Sequence, residues 1–134
     1  MGYHQNAVSP ANPSGLNTTN GYIMTPNIDA LAAQGIKLEN YYVQPLCSPT
    51  RGTVMTGRYP SHTGVGPNVI RPTHPYGLPG DEVTIAQVMK SAGYATAAGG
   101  KWHLGFCDER YTPTFRGFDS FLGYLLGAED YYQH

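Results

Sequence analysis

The order of short helical and strand-like segments predicts an α/β chain whose mostly parallel sheet is flanked by helices. Three observations carry this. Helix start and stop signals recur near residues 25–35, 49–57 and 81–93. Short strand-like runs, 36–41 and 94–98, lie between or after them. The 134 residues include 17 Gly and 11 Pro, a turn-rich composition that suits short elements joined by loops.

Residues 1–24 are rich in Asn, Pro, Ser, Thr and Gly and read as a loop-rich entry. Thr25-Pro26 then supplies an N-cap and a Pro at the first helical position. Ile28, Leu31 and Ala32 recur at helical spacing, and Gly35 is expected to close the helix in the left-handed conformation. Ile36-Lys37-Leu38-Glu39-Asn40-Tyr41 alternates apolar and polar and predicts a strand. A helix is expected from about Pro49 to Thr56, with Gly57 as its stop. Residues 58–82 hold many Pro, Gly and His with little periodicity and read as one long functional loop. Asp81 to Thr84 can cap the next helix, whose apolar face is Ile85, Val88, Met89 and Ala92 and whose end is Gly93. Tyr94 to Ala98 predicts a short strand of small residues.

A chain this long holds one small domain with a modest core. Only 13% of residues are charged and the net charge is −1, so no basic stripe exists for nucleic acid. No apolar run approaches the roughly 18–20 residues that span a bilayer. The first residues, Met1-Gly2-Tyr3-His4-Gln5-Asn6, show no basic region followed by an apolar stretch, so no signal peptide is visible in them. Two Cys make no disulfide framework, and Asn17-Thr18-Thr19 is a glycosylation sequon.

Chemistry concentrates in Cys47-Ser48-Pro49-Thr50-Arg51. Pro is tolerated in a first helical turn, where its missing N–H costs nothing. A helix starting here puts Cys47 at its N-terminal mouth, where free N–H groups and the positive dipole end suit an anion. Arg51, four residues on, shares that face and can fork two donors onto an oxyanion. Sites in such sheets form outside the carboxyl ends of strands. Cys47 is expected after one strand and Lys101 and His103 after another, which places them on one rim. Taken singly, Cys47 also reads as a buried thiol or a disulfide partner of Cys107, Lys101 as a solvated Lys and His103 as a loop His. Cys107 itself reads as a buried thiol or the partner of a Cys elsewhere. His4, His62 and His74 have no zinc-like spacing. Tyr41, Tyr42, Tyr131 and Tyr132 suit packing, or the lining of a sugar site.

Pro45-Leu46-Cys47-Ser48-Pro49-Thr50-Arg51, followed by Val54-Met55-Thr56-Gly57, resembles the first signature of the type I sulfatases. Gly93-Tyr94-Ala95-Thr96-Ala97-Ala98-Gly99-Gly100-Lys101-Trp102-His103 resembles the second. Thr50 and Gly99 are mild departures. Tyr41-Tyr42, Arg116-Gly117-Phe118-Asp119 and Glu129-Asp130-Tyr131-Tyr132 resemble the arylsulfatase B branch.

The resemblance implies an alkaline-phosphatase-like fold present in part, with residues 25–134 the N-terminal part of a catalytic domain. It implies hydrolysis of sulfate esters, of sulfated small molecules or glycosaminoglycans, in the secretory pathway, lysosomal or extracellular. The implied catalytic residues are Cys47, Arg51, Lys101 and His103. A formylglycine-generating enzyme would oxidise Cys47 to formylglycine, whose hydrate attacks sulfur. Lys101 would hold a sulfate oxygen, Arg51 would orient the hydrate, and His103 would hold or relay a proton.

The implied metal is calcium, bound through an Asp-Asp and an Asp-Asn pair. Neither pair is present, no Asp precedes Asp29, and only position 47 remains as a metal ligand. An N-terminal fragment with little activity of its own is therefore expected. The alternatives are a related phosphatase or phosphodiesterase, which would need Ser or Thr and two zinc ions, and a non-catalytic binding module.

Overall fold

The computed structural model describes residues 25–130 and Tyr132. The chain divides into two compact units, residues 1–42 and 43–134. In the first, helix α1 (Pro26–Gln34) starts on Pro26 as expected. The Thr25 hydroxyl caps no backbone N–H and instead donates to Asp29 Oδ1 at 3.0 Å. Gly35 is extended, with φ −108°, and not left-handed. Residues 36–41 form no strand. Their alternation is real, but a strand exists only with a ladder partner, and none pairs with them among the described residues. Ile36 is 93% exposed as a result.

The second unit holds α2 (Cys47–Thr56), α3 (Pro60–Thr63), α4 (Ile85–Ser91), β1 (Ala97–Lys101), two 3₁₀ turns (Glu109–Tyr111 and Pro113–Arg116) and β2 (Ser120–Tyr124). β1 and β2 pair in parallel, Ala97 opposite Ser120 and Lys101 opposite Tyr124. Thus the α/β class and the parallel pairing agree with the sequence reading.

Helix α2 begins two residues earlier than expected. Leu46 is extended and its carbonyl accepts the Thr50 N–H at 3.2 Å, which draws Cys47 and Ser48 into the first turn. Gly57 ends the helix at φ 68°, its N–H on the Thr53 carbonyl. Thr84 caps α4 through a reciprocal box with Gln87. The expected apolar face of α4 is not its buried face: Ile85 and Val88 are more than half exposed and Ala86 is buried. The helix is anchored by its start, where the Thr84 hydroxyl donates to the Arg116 carbonyl at 2.7 Å. Gly117 also lies so close that a Cβ there would meet Gln87 N at 2.5 Å.

β1 starts three residues later than Tyr94, because the Tyr94 N–H still bonds back to the Met89 carbonyl of the helix exit. Its Gly99-Gly100 run forms a strand through the ladder from β2. Gly100 faces Gly123, and a Cβ on Gly123 would lie 2.0 Å from the Gly100 carbonyl oxygen. This close approach requires glycine.

The core comprises Val65, Ile70, Leu78, Trp102 and Leu104, ringed by Met55, Phe118, Phe121 and Leu125. Three of its five central residues come from the segment read as a functional loop. Apart from the single turn of α3, that segment is irregular backbone, pinned by Leu78 N–H to the Leu104 carbonyl at 2.8 Å. Trp102 stacks edge-on to Phe118 and donates its indole N–H to Tyr111 O at 2.8 Å.

Asp119 joins α4 to both strand starts. It pairs with Lys90 at 2.7 Å and accepts the Thr96 N–H at 2.9 Å. The Lys90 ammonium, and then the Thr96 amide and hydroxyl, hold its carboxyl down at about 2. A depressed carboxyl stabilises the fold above its unfolded value of 3.8, and that contribution is lost as pH falls towards 2. Acid unfolding followed by circular dichroism is therefore expected to be less steep between pH 4 and 2 in Asp119→Asn. Leu104 is fully buried. Leu104→Ala is expected to lower stability by about 2–5 kcal/mol in urea titrations.

Candidate functional site

The site is built where the first turn of α2 meets the end of β1. Cys47, the first residue of α2, is exposed. Lys101, the last residue of β1, donates from Nζ to Cys47 Sγ at 3.2 Å. No strand precedes Cys47, since residues 43–46 are irregular, so the expected pair of strand ends is replaced by one strand end and one helix start. Arg51 shares the helix with Cys47, yet its guanidinium donates to the Lys101 carbonyl, and to that of Trp102 at 3.5 Å. It clamps α2 to the strand end and makes no hydrogen bond to Cys47.

His103 lies two residues past β1 at φ 58°, a conformation rare outside glycine. It is buried, 7% exposed, with its N–H on the Leu125 carbonyl at 3.1 Å. Its Nε2 lies 2.9 Å from the Ile70 carbonyl. A carbonyl only accepts, so Nε2 carries the proton. Nδ1 is buried without a partner. The ring thus bonds to Ile70 and not to residue 47. Burial pushes the imidazole below its usual 6.5, Lys101 and Arg51 add to this, and the Ile70 bond opposes it.

A cleft of about 670 Å³ opens over this junction, lined among others by Gln44, Cys47, Arg51, Val54, Lys101 and Phe121. Three supporting contacts escaped the sequence reading. Thr50 Oγ1 donates to Gln44 O at 2.7 Å and pins the segment that enters α2. Ser48 Oγ donates to His103 O at 2.8 Å and accepts the Ile70 N–H at 3.0 Å. Ser48 stood inside a motif already singled out. Ile70, in an aperiodic segment, offered no signal.

The other candidates fall elsewhere. Cys47 and Cys107 are both free and exposed, which removes the disulfide between them and the buried-thiol readings. His62 meets Tyr59 edge-on, and His74 stacks on Tyr76 while its Nδ1 accepts the Arg71 N–H. Tyr41, Tyr42 and Tyr132 are largely exposed. His4, the Asn17 sequon and Tyr131 lie outside the described residues.

Among the described residues no three His, Cys, Asp or Glu side chains converge. They do not fit a calcium cage, and Cys47, the position the resemblance assigned to the metal, belongs to no such group.

Because the folded chain disfavours imidazolium at His103, its contribution to stability is complete above the unfolded value of 6.5 and is lost as pH falls through the lowered folded value. Nuclear magnetic resonance titration is expected to place this ring below the ordinary imidazole value of 6.5, and thermal stability to decline below pH 6.5 less in His103→Gln than in the parent.

A sulfatase family model matches residues 11–134. Over 112 residues the chain is 55% identical to arylsulfatase J of Mus musculus, covering 84% of this chain and 19% of that protein. It is 46% identical over 101 residues to arylsulfatase A of Bos taurus, covering 74% of this chain and 20% of that protein. The solved structure of Ps i-CgsB in complex with k-i-k-neocarrahexaose aligns with a TM-score of 0.62 and 36% identity, over 66% of this chain and 19% of that one. The chain therefore spans about a fifth of the length of the curated relatives it matches. With the family match running from residue 11 to the last residue, and more than half of the 112 aligned positions identical to an arylsulfatase, the chain belongs to the sulfatase family.

Proposed function

We propose that this chain carries the nucleophile segment of a sulfuric ester hydrolase of the arylsulfatase B-like kind, which removes sulfate from sulfated sugars, glycosaminoglycans among them. The observation that supports this most directly is Lys101 Nζ, 3.2 Å from Cys47 Sγ at the open N-terminus of α2. An oligosaccharide bound to a structural relative supports the carbohydrate class.

The chemistry follows from the groups present. After conversion of Cys47 by a formylglycine-generating enzyme, the hydrated aldehyde would supply a hydroxyl to attack sulfur. The first-turn N–H groups and the positive end of α2 attract the sulfate ester. The Lys101 ammonium holds one of its oxygens and opposes the charge that develops there. Arg51 fixes the strand end from which Lys101 projects. His103, whose neutral form burial favours, offers the Nδ1 lone pair as a proton acceptor.

No step is assigned to calcium, because the described residues present no cage for it. The same observation favours a second reading, a segment that binds a sulfated ligand without turning it over. The proposed setting is the secretory pathway, lysosomal or extracellular. No helix among the described residues is long and apolar enough to cross a membrane.

In cells that contain the converting enzyme, peptide mass spectrometry across residues 46–51 is expected to find the aldehyde at position 47, and only thiol there counts against the reading. In unconverted chain, sulfate is expected to protect Cys47 from alkylation, and Lys101→Ala to weaken this about tenfold through loss of a charge-assisted bond. With a chromogenic aryl sulfate, converted chain alone is expected to show little turnover. In a polypeptide of the relatives' length, Lys101→Ala is expected to lower kcat/KM by roughly 10²–10³. Sulfate protection without turnover at any length marks the binding module.

A further inference from the structure

We propose that Ser48 is a positioning residue for His103, closing a ring of three hydrogen bonds that holds the imidazole with its proton on Nε2 and its lone pair on Nδ1. The ring is closed among three buried residues. The Ile70 N–H donates to Ser48 Oγ at 3.0 Å, Ser48 Oγ donates to His103 O at 2.8 Å, and His103 Nε2 donates to Ile70 O at 2.9 Å. Each member gives one proton and accepts one.

The hydroxyl has a single proton, and His103 O takes it. Ser48 sits in the first turn of α2 but makes no cap to its own helix; its bond reaches 55 residues along the chain. Both polar groups of the Ile70 peptide are committed as well. Moving the imidazole proton to Nδ1 would set the Nε2 lone pair against the Ile70 carbonyl oxygen at 2.9 Å, between two buried residues.

The backbone of His103 needs this support. A left-handed non-glycine residue is strained and persists only where its surroundings over-determine it. Here the Ser48 hydroxyl holds its carbonyl, Leu125 holds its N–H and Ile70 holds its ring. Gly127 lies against the ring, where a Cβ would come within 2.7 Å of Cε1. Nδ1 is left as the ring's polar atom without a partner. Since Ser48 follows Cys47 on the same helix, one turn of α2 sets both the nucleophile position and the tautomer of the histidine.

The use made of Nδ1 rests on the hydrolase reading. The tautomer and its dependence on Ser48 do not, so failure of either is told apart. The test is ¹⁵N resonance of the imidazole rings in the 134-residue chain, with His103 assigned by His103→Gln. Wild type is expected to show a slowly exchanging Nε2 proton and an unprotonated Nδ1. The other tautomer, or a freely averaging mixture, overturns the proposal.

Ser48→Ala is expected to lose the slow ring proton, mix the tautomers and speed exchange of the Ile70 amide at least about tenfold. Ser48→Thr, which keeps the hydroxyl, is expected to retain a single tautomer. Thr84→Ala removes another buried hydroxyl and is expected to leave His103 unchanged. A folded Ser48→Ala with the single tautomer and slow proton intact overturns the proposal. If Ser48→Ala does not fold, a folded Ser48→Thr with an averaging ring does the same.

Discussion

The clamp of Arg51 onto the carbonyls of Lys101 and Trp102 is the contact on which the site depends. It crosses from the second turn of α2 to the last residue of β1 and the residue after it. A single guanidinium nitrogen, Nη1, donates to both carbonyls and so ties the strand end to one point on α2. With α2 held there, Cys47 at its open end falls beside the Lys101 ammonium, and Ser48 reaches the backbone of His103. Trp102 and Leu104, on either side of His103, anchor the same stretch in the core. The site and the core are thus one contiguous packing unit, and the irregular segment that supplies Val65, Ile70 and Leu78 serves both.

Electrostatics around residue 47 are one-sided. Lys101 and the positive end of α2 converge there, Arg51 stands one turn behind, and the described acids form no cluster beside them. The His103 imidazole is pushed below its usual value by burial and by those same cations. A base beside fixed positive charge is a pairing suited to holding an anion while a proton is taken from the hydroxyl that attacks it. Away from the site, polar burial serves architecture. Asp119 joins α4 to both strands, and Glu82, itself buried, accepts Arg58 through both oxygens.

Local signals in the sequence proved readable where one or two residues decide the geometry. Pro26 began a helix, Gly57 ended one in the left-handed region, and Thr84 with Gln87 closed a capping box. The Cys47–Arg51 spacing was legible for the same reason, since a helical turn needs no distant partner. The alternating run 36–41 was not a strand, because alternation describes a side-chain pattern while a strand is a set of bonds to another chain segment. The apolar face expected of α4 failed because a seven-residue helix is oriented by its anchored start, not by its own periodicity.

By itself, then, the sequence determined the α/β class, the helix boundaries that caps control, the cationic and nucleophilic residues, and membership of a family whose motifs are linear. The tertiary structure decided what those residues touch. Arg51 turned to backbone carbonyls, His103 turned its ring to Ile70, and Ser48 joined the start of α2 to both His103 and Ile70. None of these is periodic, and each joins residues between 22 and 55 positions apart. Hydrogen bonds at such separations depend on where the whole backbone goes, and only the packed core sets that.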